Sequence, residues 1–152
     1  MNQVAPATGP RLSGETVHAS TVAKDGRAVV ITGLSGSGKS DLTLRLLDRG
    51  FTMVSDDRTL VKRDGNRLIA SAPANIAGKL EVRGIGIVDI DHIDNVPIAM
   101  LVELTGVVER LPDDNRERPI LGVNLPLISV DAMTASAPAK VALALDRMGL
   151  RF

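Results

Sequence analysis

The 152 residues are 44% apolar and 24% charged, the balance of a globular domain, and 18 basic side chains match 18 acidic ones, which gives no support to broad binding of nucleic acid or anionic membrane. No apolar run approaches the roughly 18 to 20 residues that cross a bilayer, and residues 1–10 lack the charged start and apolar stretch of a signal peptide, so a cytoplasmic protein is expected. Cysteine is absent, excluding disulfides, thiolate nucleophiles and zinc–cysteine or iron–sulfur centres, and with Phe51 and Phe152 the only aromatics there is no stacking platform for single-stranded nucleic acid.

Residues 1–12, rich in Ala, Pro, Gly and Thr, read as a loose terminus ahead of one domain that fills the rest of the chain. Residues 17–23 and 27–32 are β-prone, and the Asp25-Gly26 pair between them supplies the positive φ angles of a tight hairpin. A glycine-rich stretch, residues 33–40, leads into a helix over 39–49 with Leu42, Leu46 and Leu47 on one stripe and Gly50 at its end. Next come a short strand at 52–55, the pair Asp56-Asp57, and a hairpin of 59–62 with 67–71 around Asp64-Gly65. Residues 85–90 and 98–104 have the apolar density of buried strands, while 112–119, with its many charges, reads as an exposed loop. Ser136 is placed to cap a last helix, with Pro138 in its first turn, Val141, Leu145 and Met148 on its inner stripe and Gly149 at its end. Repeated hairpin signals predict a mixed, largely antiparallel α/β fold with few helices.

Gly33-Leu34-Ser35-Gly36-Ser37-Gly38-Lys39-Ser40 satisfies G-x-x-x-x-G-K-[ST] at every fixed position, between a predicted strand and a predicted helix. Such a P-loop turns backbone N–H groups and a helix N-terminus toward phosphate oxygens, with Lys39 neutralising the β and γ phosphates of ATP and the Ser40 hydroxyl on Mg²⁺. A bare glycine-rich turn without ligand is the competing reading, and the complete pattern in its strand–helix context weighs against it. GTPases are disfavoured because no Asn-Lys-x-Asp segment is present. Asp56 and Asp57, adjacent at a strand end, point to opposite sides, so one carboxylate can face a metal and its neighbour an incoming hydroxyl.

Four stretches extend this pattern: residues 17–20 (Val-His-Ala-Ser); 31–40 through the loop; 46–50 leading to 54–57; and 80–87, Leu-Glu-Val-Arg-Gly-Ile-Gly-Ile. With them the chain resembles the bacterial HPr kinase/phosphorylase family, in the truncated form that carries the C-terminal catalytic domain only. The resemblance covers about residues 17–91, the rest aligning loosely, and the 80–87 stretch is its most specific part. It implies a phosphoenolpyruvate-carboxykinase-like fold and an ATP- and Mg²⁺-dependent kinase acting on a serine of the phosphocarrier protein HPr, in a homo-oligomer like the family's hexamers. It also implies the site roles. Asp57 would accept the substrate proton with Asp56 as its partner, His18 would orient the acidic pair, and Glu81 would join Ser40 at the metal. Arg83 would stabilise transition-state charge, and Arg110 falls near a further catalytic arginine. The basic loop that the family uses for phosphorolysis is not recognisable in residues 125–132, so that reaction is expected to be slow or absent. His92, among Asp89, Asp91 and Asp94, reads as part of a solvated loop. The residues by themselves leave open a small-molecule P-loop kinase and an ATP-sensing module that transfers nothing.

Overall fold

The computed structural model describes residues 14–113 and 115–152; the expected loose terminus, residues 1–12, lies outside them. In chain order the elements are β1 (Gly14–Val17), β2 (Ala19–Lys24), β3 (Arg27–Thr32), α1 (Lys39–Leu47), β4 (Thr52–Ser55), β5 (Thr59–Asp64), β6 (Arg67–Ser71), β7 (Lys79–Val82), β8 (Gly86–Asp89), β9 (Val96–Leu104), β10 (Glu117–Ile120), β11 (Val123–Val130) and α2 (Ala137–Met148). The fold is mixed α/β. Among the described strands only β3 with β9 and β9 with β11 run parallel, and every other pairing is antiparallel.

The large sheet runs β1-β5-β6-β9-β3-β2-β4, with β11 also on β9 and β10 on β11. Its centre is apolar on both faces, as the continuous run Ala28–Ile31 of β3 requires. Val29 and Ile31 of β3 pack on one side with Leu42 and Leu46 of α1 and Val141 and Leu145 of α2. Ala28 and Val30 face the other way, against Ala19, Val61, Leu68, Ile98 and Leu101. The period of two thus places alternate residues of one strand in two cores. The β2–β3 turn forms as expected, Asp25 and Gly26 having φ of 53° and 74°.

Several expectations need correction. The strand over 17–23 is two strands, because Val17 pairs with Thr59 of β5 whereas Ala19 pairs with Thr32 of β3, and His18 is the break between partners. The segment 85–90 is not a buried strand. It supplies β8 of a separate two-stranded hairpin with β7, where Ile85 and Ile87 are 76% and 70% exposed. Residues 117–119 of the expected loop fall in β10, which pairs with β11 while Arg116 and Arg118 are both bound by Glu103 of β9. Ser136 occupies the N-cap of α2 but makes no side-chain capping bond, and Met148 faces outward rather than along the inner stripe.

Candidate active site

β3 delivers the chain into the glycine-rich loop from the middle of the sheet, so the loop stands on packed strands at the end where β3, β9 and β11 run parallel. The loop's curl needs glycine at Gly36 and Gly38, whose φ values are +80° and +102°. At Gly33 the need is space: a Cβ there would lie 2.5 Å from the Ser37 hydroxyl. Gly38 is the N-cap of α1, and no side chain caps that end. The Lys39 ammonium, almost wholly buried, donates to the Gly33 and Leu34 carbonyls at 2.9 and 3.1 Å. Ser37 Oγ is a buried hydroxyl with no hydrogen-bond partner among the described residues.

The acidic pair sits in the turn from β4 to β5. The two side chains part, though neither residue is in the strand and the left-handed turn at Asp57 separates them: Asp56 is 6% exposed and Asp57 is on the surface. Asp56 Oδ1 accepts hydroxyl bonds from Ser40 at 2.8 Å and from Ser20 at 2.9 Å, and its Oδ2 faces the Glu81 amide at 3.3 Å. Three segments separated by tens of residues therefore meet on one carboxylate: β2, the start of α1 and β7. The Asp57 backbone has φ +68°, and its N–H donates to Ser20 Oγ at 3.1 Å.

Ser40, Asp56 and the Glu81 backbone are thus brought together, while the Glu81 side chain is exposed. His18 is exposed beside the same turn, between Val17, opposite Thr59, and Ser20, which binds Asp56. Arg83 stands exposed at the tip of the β7–β8 hairpin, and no bond joins Arg110, in the exposed loop after β9, to any described site residue. The residue the sequence left without a role is Ser20, quoted only as part of a strand. Its partners lie 36 and 37 positions away, beyond any local pattern. His92 packs against Gly78, whose Cβ would fall 2.8 Å from the ring Nδ1, and the described residues hold no group of three His, Asp or Glu side chains that could cage a metal.

On the far side of the loop Glu103 of β9 lies in register with Thr32 of β3 and Ser129 of β11. Its carboxylate accepts Ser129 Oγ at 2.7 Å, Arg116 Nη2 at 3.0 Å and Arg118 Nη2 at 2.7 Å. The Ser129 hydroxyl, helped by both arginines, holds this carboxyl below the usual glutamate range although burial opposes the shift.

The family profile of the HPr Serine kinase C-terminal domain matches residues 11–145. The HPr kinase/phosphorylase of Pelodictyon phaeoclathratiforme is 36% identical over 127 residues, 74% of this chain and 38% of that protein. Its counterpart from Clostridium tetani is 34% identical over 133 residues, 79% of this chain and 44% of the other. The chain therefore spans about two fifths of the length of these curated relatives. The solved Hpr(Ser) kinase/phosphatase from Coxiella burnetii superposes with a TM-score of 0.74 at 31% identity, covering 87% of this chain and 94% of that one.

Proposed function

The chain belongs to the HPr serine kinase C-terminal domain family, and from that premise we propose that it transfers the γ-phosphoryl group of ATP, with Mg²⁺, to a serine of an HPr-type phosphocarrier protein. The observation that carries this reading is the 2.8 Å bond from Ser40 to the buried Asp56. Donating its proton to Asp56 leaves the Ser40 oxygen with lone pairs for a hard cation, and a Mg²⁺ held by a hydroxyl, one carboxylate, phosphate oxygens and water needs no all-protein cage. The unpartnered Ser37 hydroxyl inside the loop suits a phosphate oxygen, and the uncapped N-terminus of α1 suits the anion's charge.

In this reading Lys39 and the loop amides bind the β and γ phosphates, and Ser40 and Asp56, with Glu81 beside them, hold the metal. Bound Mg²⁺ supplies charge neutralisation at the phosphate oxygens. Asp57, exposed next to that assembly, accepts the proton of the substrate serine as its oxygen bonds to the γ-phosphorus; the bond to the β-phosphate oxygen breaks, and its electron pair leaves with ADP. His18 orients the turn that carries Asp57, and Arg83 and Arg110 face the developing charge from the rim. The parts act in the cytoplasm and within a homo-oligomer of the family's kind. Among the described residues, no helix is long and apolar enough to cross a membrane.

The reverse phosphorolysis is slow or absent in this proposal. Residues 123–130 form β11, with Leu125, Leu127 and Val130 buried, and the nearby arginines 116 and 118 are committed to Glu103. Transfer of ³²P from γ-labelled ATP to purified HPr tests the forward reaction, with Asp57→Asn expected to lose about 10²-fold or more. ATP binding without label on HPr would point to another acceptor or to a nucleotide sensor. Pyrophosphate release from phosphoserine-HPr in millimolar phosphate, at a rate matching the forward one, would overturn the one-way reading.

A further inference from the structure

Ser20 lies in β2 and is 0% exposed, yet it is polar on both counts a hydroxyl allows. Its proton goes to Asp56 Oδ1 at 2.9 Å, and its oxygen accepts the Asp57 N–H at 3.1 Å. One buried oxygen therefore holds the side chain of one carboxylate and the backbone of the next. The first bond, together with that from Ser40, takes both lone-pair directions of Oδ1, which turns Oδ2 toward β7 and Glu81. The second pins the amide of Asp57 in a left-handed conformation that an L-residue adopts at a cost.

Neighbouring side chains reinforce the same turn. Thr59 Oγ1 donates to the Ala19 carbonyl at 2.9 Å, so the 2.8 Å contact between Thr21 and Thr59 has Thr21 as donor, each hydroxyl having one proton. The Ser55 hydroxyl bonds the Arg58 carbonyl, and the Arg58 N–H bonds the Asp56 carbonyl at 2.8 Å. The Thr21–Thr59 pair holds β5 to β2 at the far end of the turn, and Ser20 is the one member of this set that reaches both acidic residues.

We propose that Ser20 is a positioning residue that sets Asp56 and Asp57 together, fixing the metal-facing oxygen of the first and the substrate-facing placement of the second. This rests on the kinase reading above, in which those two carboxylates hold Mg²⁺ and take the serine proton. Groups that orient a metal ligand from behind typically change metal affinity or activity by about 10- to 100-fold when removed. Ser20→Ala removes one oxygen atom without adding bulk. Three results are expected of it: the Mg²⁺ concentration for half-maximal binding of a fluorescent ATP analogue rises about 10-fold; kcat for HPr falls by a similar factor while the ATP KM at saturating Mg²⁺ stays within about threefold; and in ¹⁵N spectra the Asp57 amide resonance moves and its hydrogen exchange accelerates. Ser20→Thr, which keeps the hydroxyl, should restore the Mg²⁺ dependence toward wild type.

The amide and Mg²⁺–nucleotide measurements need no phosphoryl transfer. A wild-type chain that leaves HPr unlabelled would sink the kinase reading while these two still judge Ser20. An unmoved Asp57 amide in Ser20→Ala, or a Mg²⁺ titration that matches wild type, would overturn the proposal. Equal loss of ATP and Mg²⁺ affinity, with resonance changes spread across the sheet, would likewise overturn it by showing that Ser20 serves packing alone.

Discussion

Asp56 and the β7–β8 hairpin meet at the Glu81 amide, but they are supported in different ways. The carboxylate is buried under β2, α1 and β7, with hydroxyls from Ser20 and Ser40 on one oxygen. The hairpin is a two-stranded sheet separate from the main one: the buried Leu80 and the Glu81 amide tie β7 to the body, the Ile93 N–H just beyond β8 donates to the Met53 carbonyl of β4 at 2.9 Å, and 83–87 are exposed at its tip. Isolated hairpins are marginally stable in water, and elements with few buried contacts open at lower free energy than core strands. On the kinase reading proposed above, the side that would hold phosphate is therefore preorganised, and the side carrying Glu81 and Arg83 is the one able to adjust to a protein substrate.

The largest effect is expected on the rigid side. Lys39→Ala should lower transfer to HPr about 10³-fold and weaken ATP binding, because the charge is needed where charge develops on the γ-phosphate, while circular dichroism stays that of wild type. Undiminished turnover would remove the loop from the chemistry. On the adaptable side, Leu80→Ala should cost about 2–3 kcal/mol, confined to the hairpin. Hydrogen exchange would then speed up over 79–89 and stay unchanged in β3; acceleration in both would show that the hairpin belongs to the core unit.

Glu81→Gln tests the boundary between the two regions. It should raise the Mg²⁺ requirement about 10-fold and the ATP requirement less, whereas superimposable Mg²⁺ titrations would confine Glu81 to its backbone role. The smallest effect belongs to Glu103. Its folded carboxyl is held below the unfolded value by Ser129, Arg116 and Arg118, so the unfolded chain binds the proton more readily. The bonds' contribution is full above the ordinary glutamate value and fades as pH falls through the folded one. Glu103→Gln should therefore lose about 1 kcal/mol at pH 7, and the gap to wild type in urea melts should narrow below about pH 4. A gap constant down to pH 3 would contradict the assignment.

Local chemistry made much of this readable in advance. Asp25-Gly26, the alternation in β3, the Leu42 and Leu46 stripe and the curl of the glycine-rich turn between β3 and α1 follow from spacings of a few residues. Asp56 and Asp57 part as expected but for another reason: both lie in the turn beyond β4, and the left-handed backbone of Asp57 rather than strand alternation separates them. What escaped depends on partners distant in the chain. Nothing near Ile85 says that β8 finds only β7, nothing near Arg118 announces Glu103, and the value of Ser20 exists only once β4 ends beside β2. His18 reads as mid-strand because the switch of neighbours from β5 to β3 leaves no mark in the sequence around it.

The place of β9 bears on how the molecule comes into being. Its nine residues pair with β6, β3 and β11, which lie far before and after it in the chain. Until residues 96–104 leave the ribosome, β3 has β2 on one side and an open row of amides and carbonyls on the other, along a Val-Val-Ile run. Such non-local pairing is slow, and an unpaired apolar edge invites other chains. A nascent chain stalled before Val96 would carry the complete glycine-rich loop in its sequence while one edge of the strand that delivers it stayed unpaired, so aggregation would compete with folding at that length.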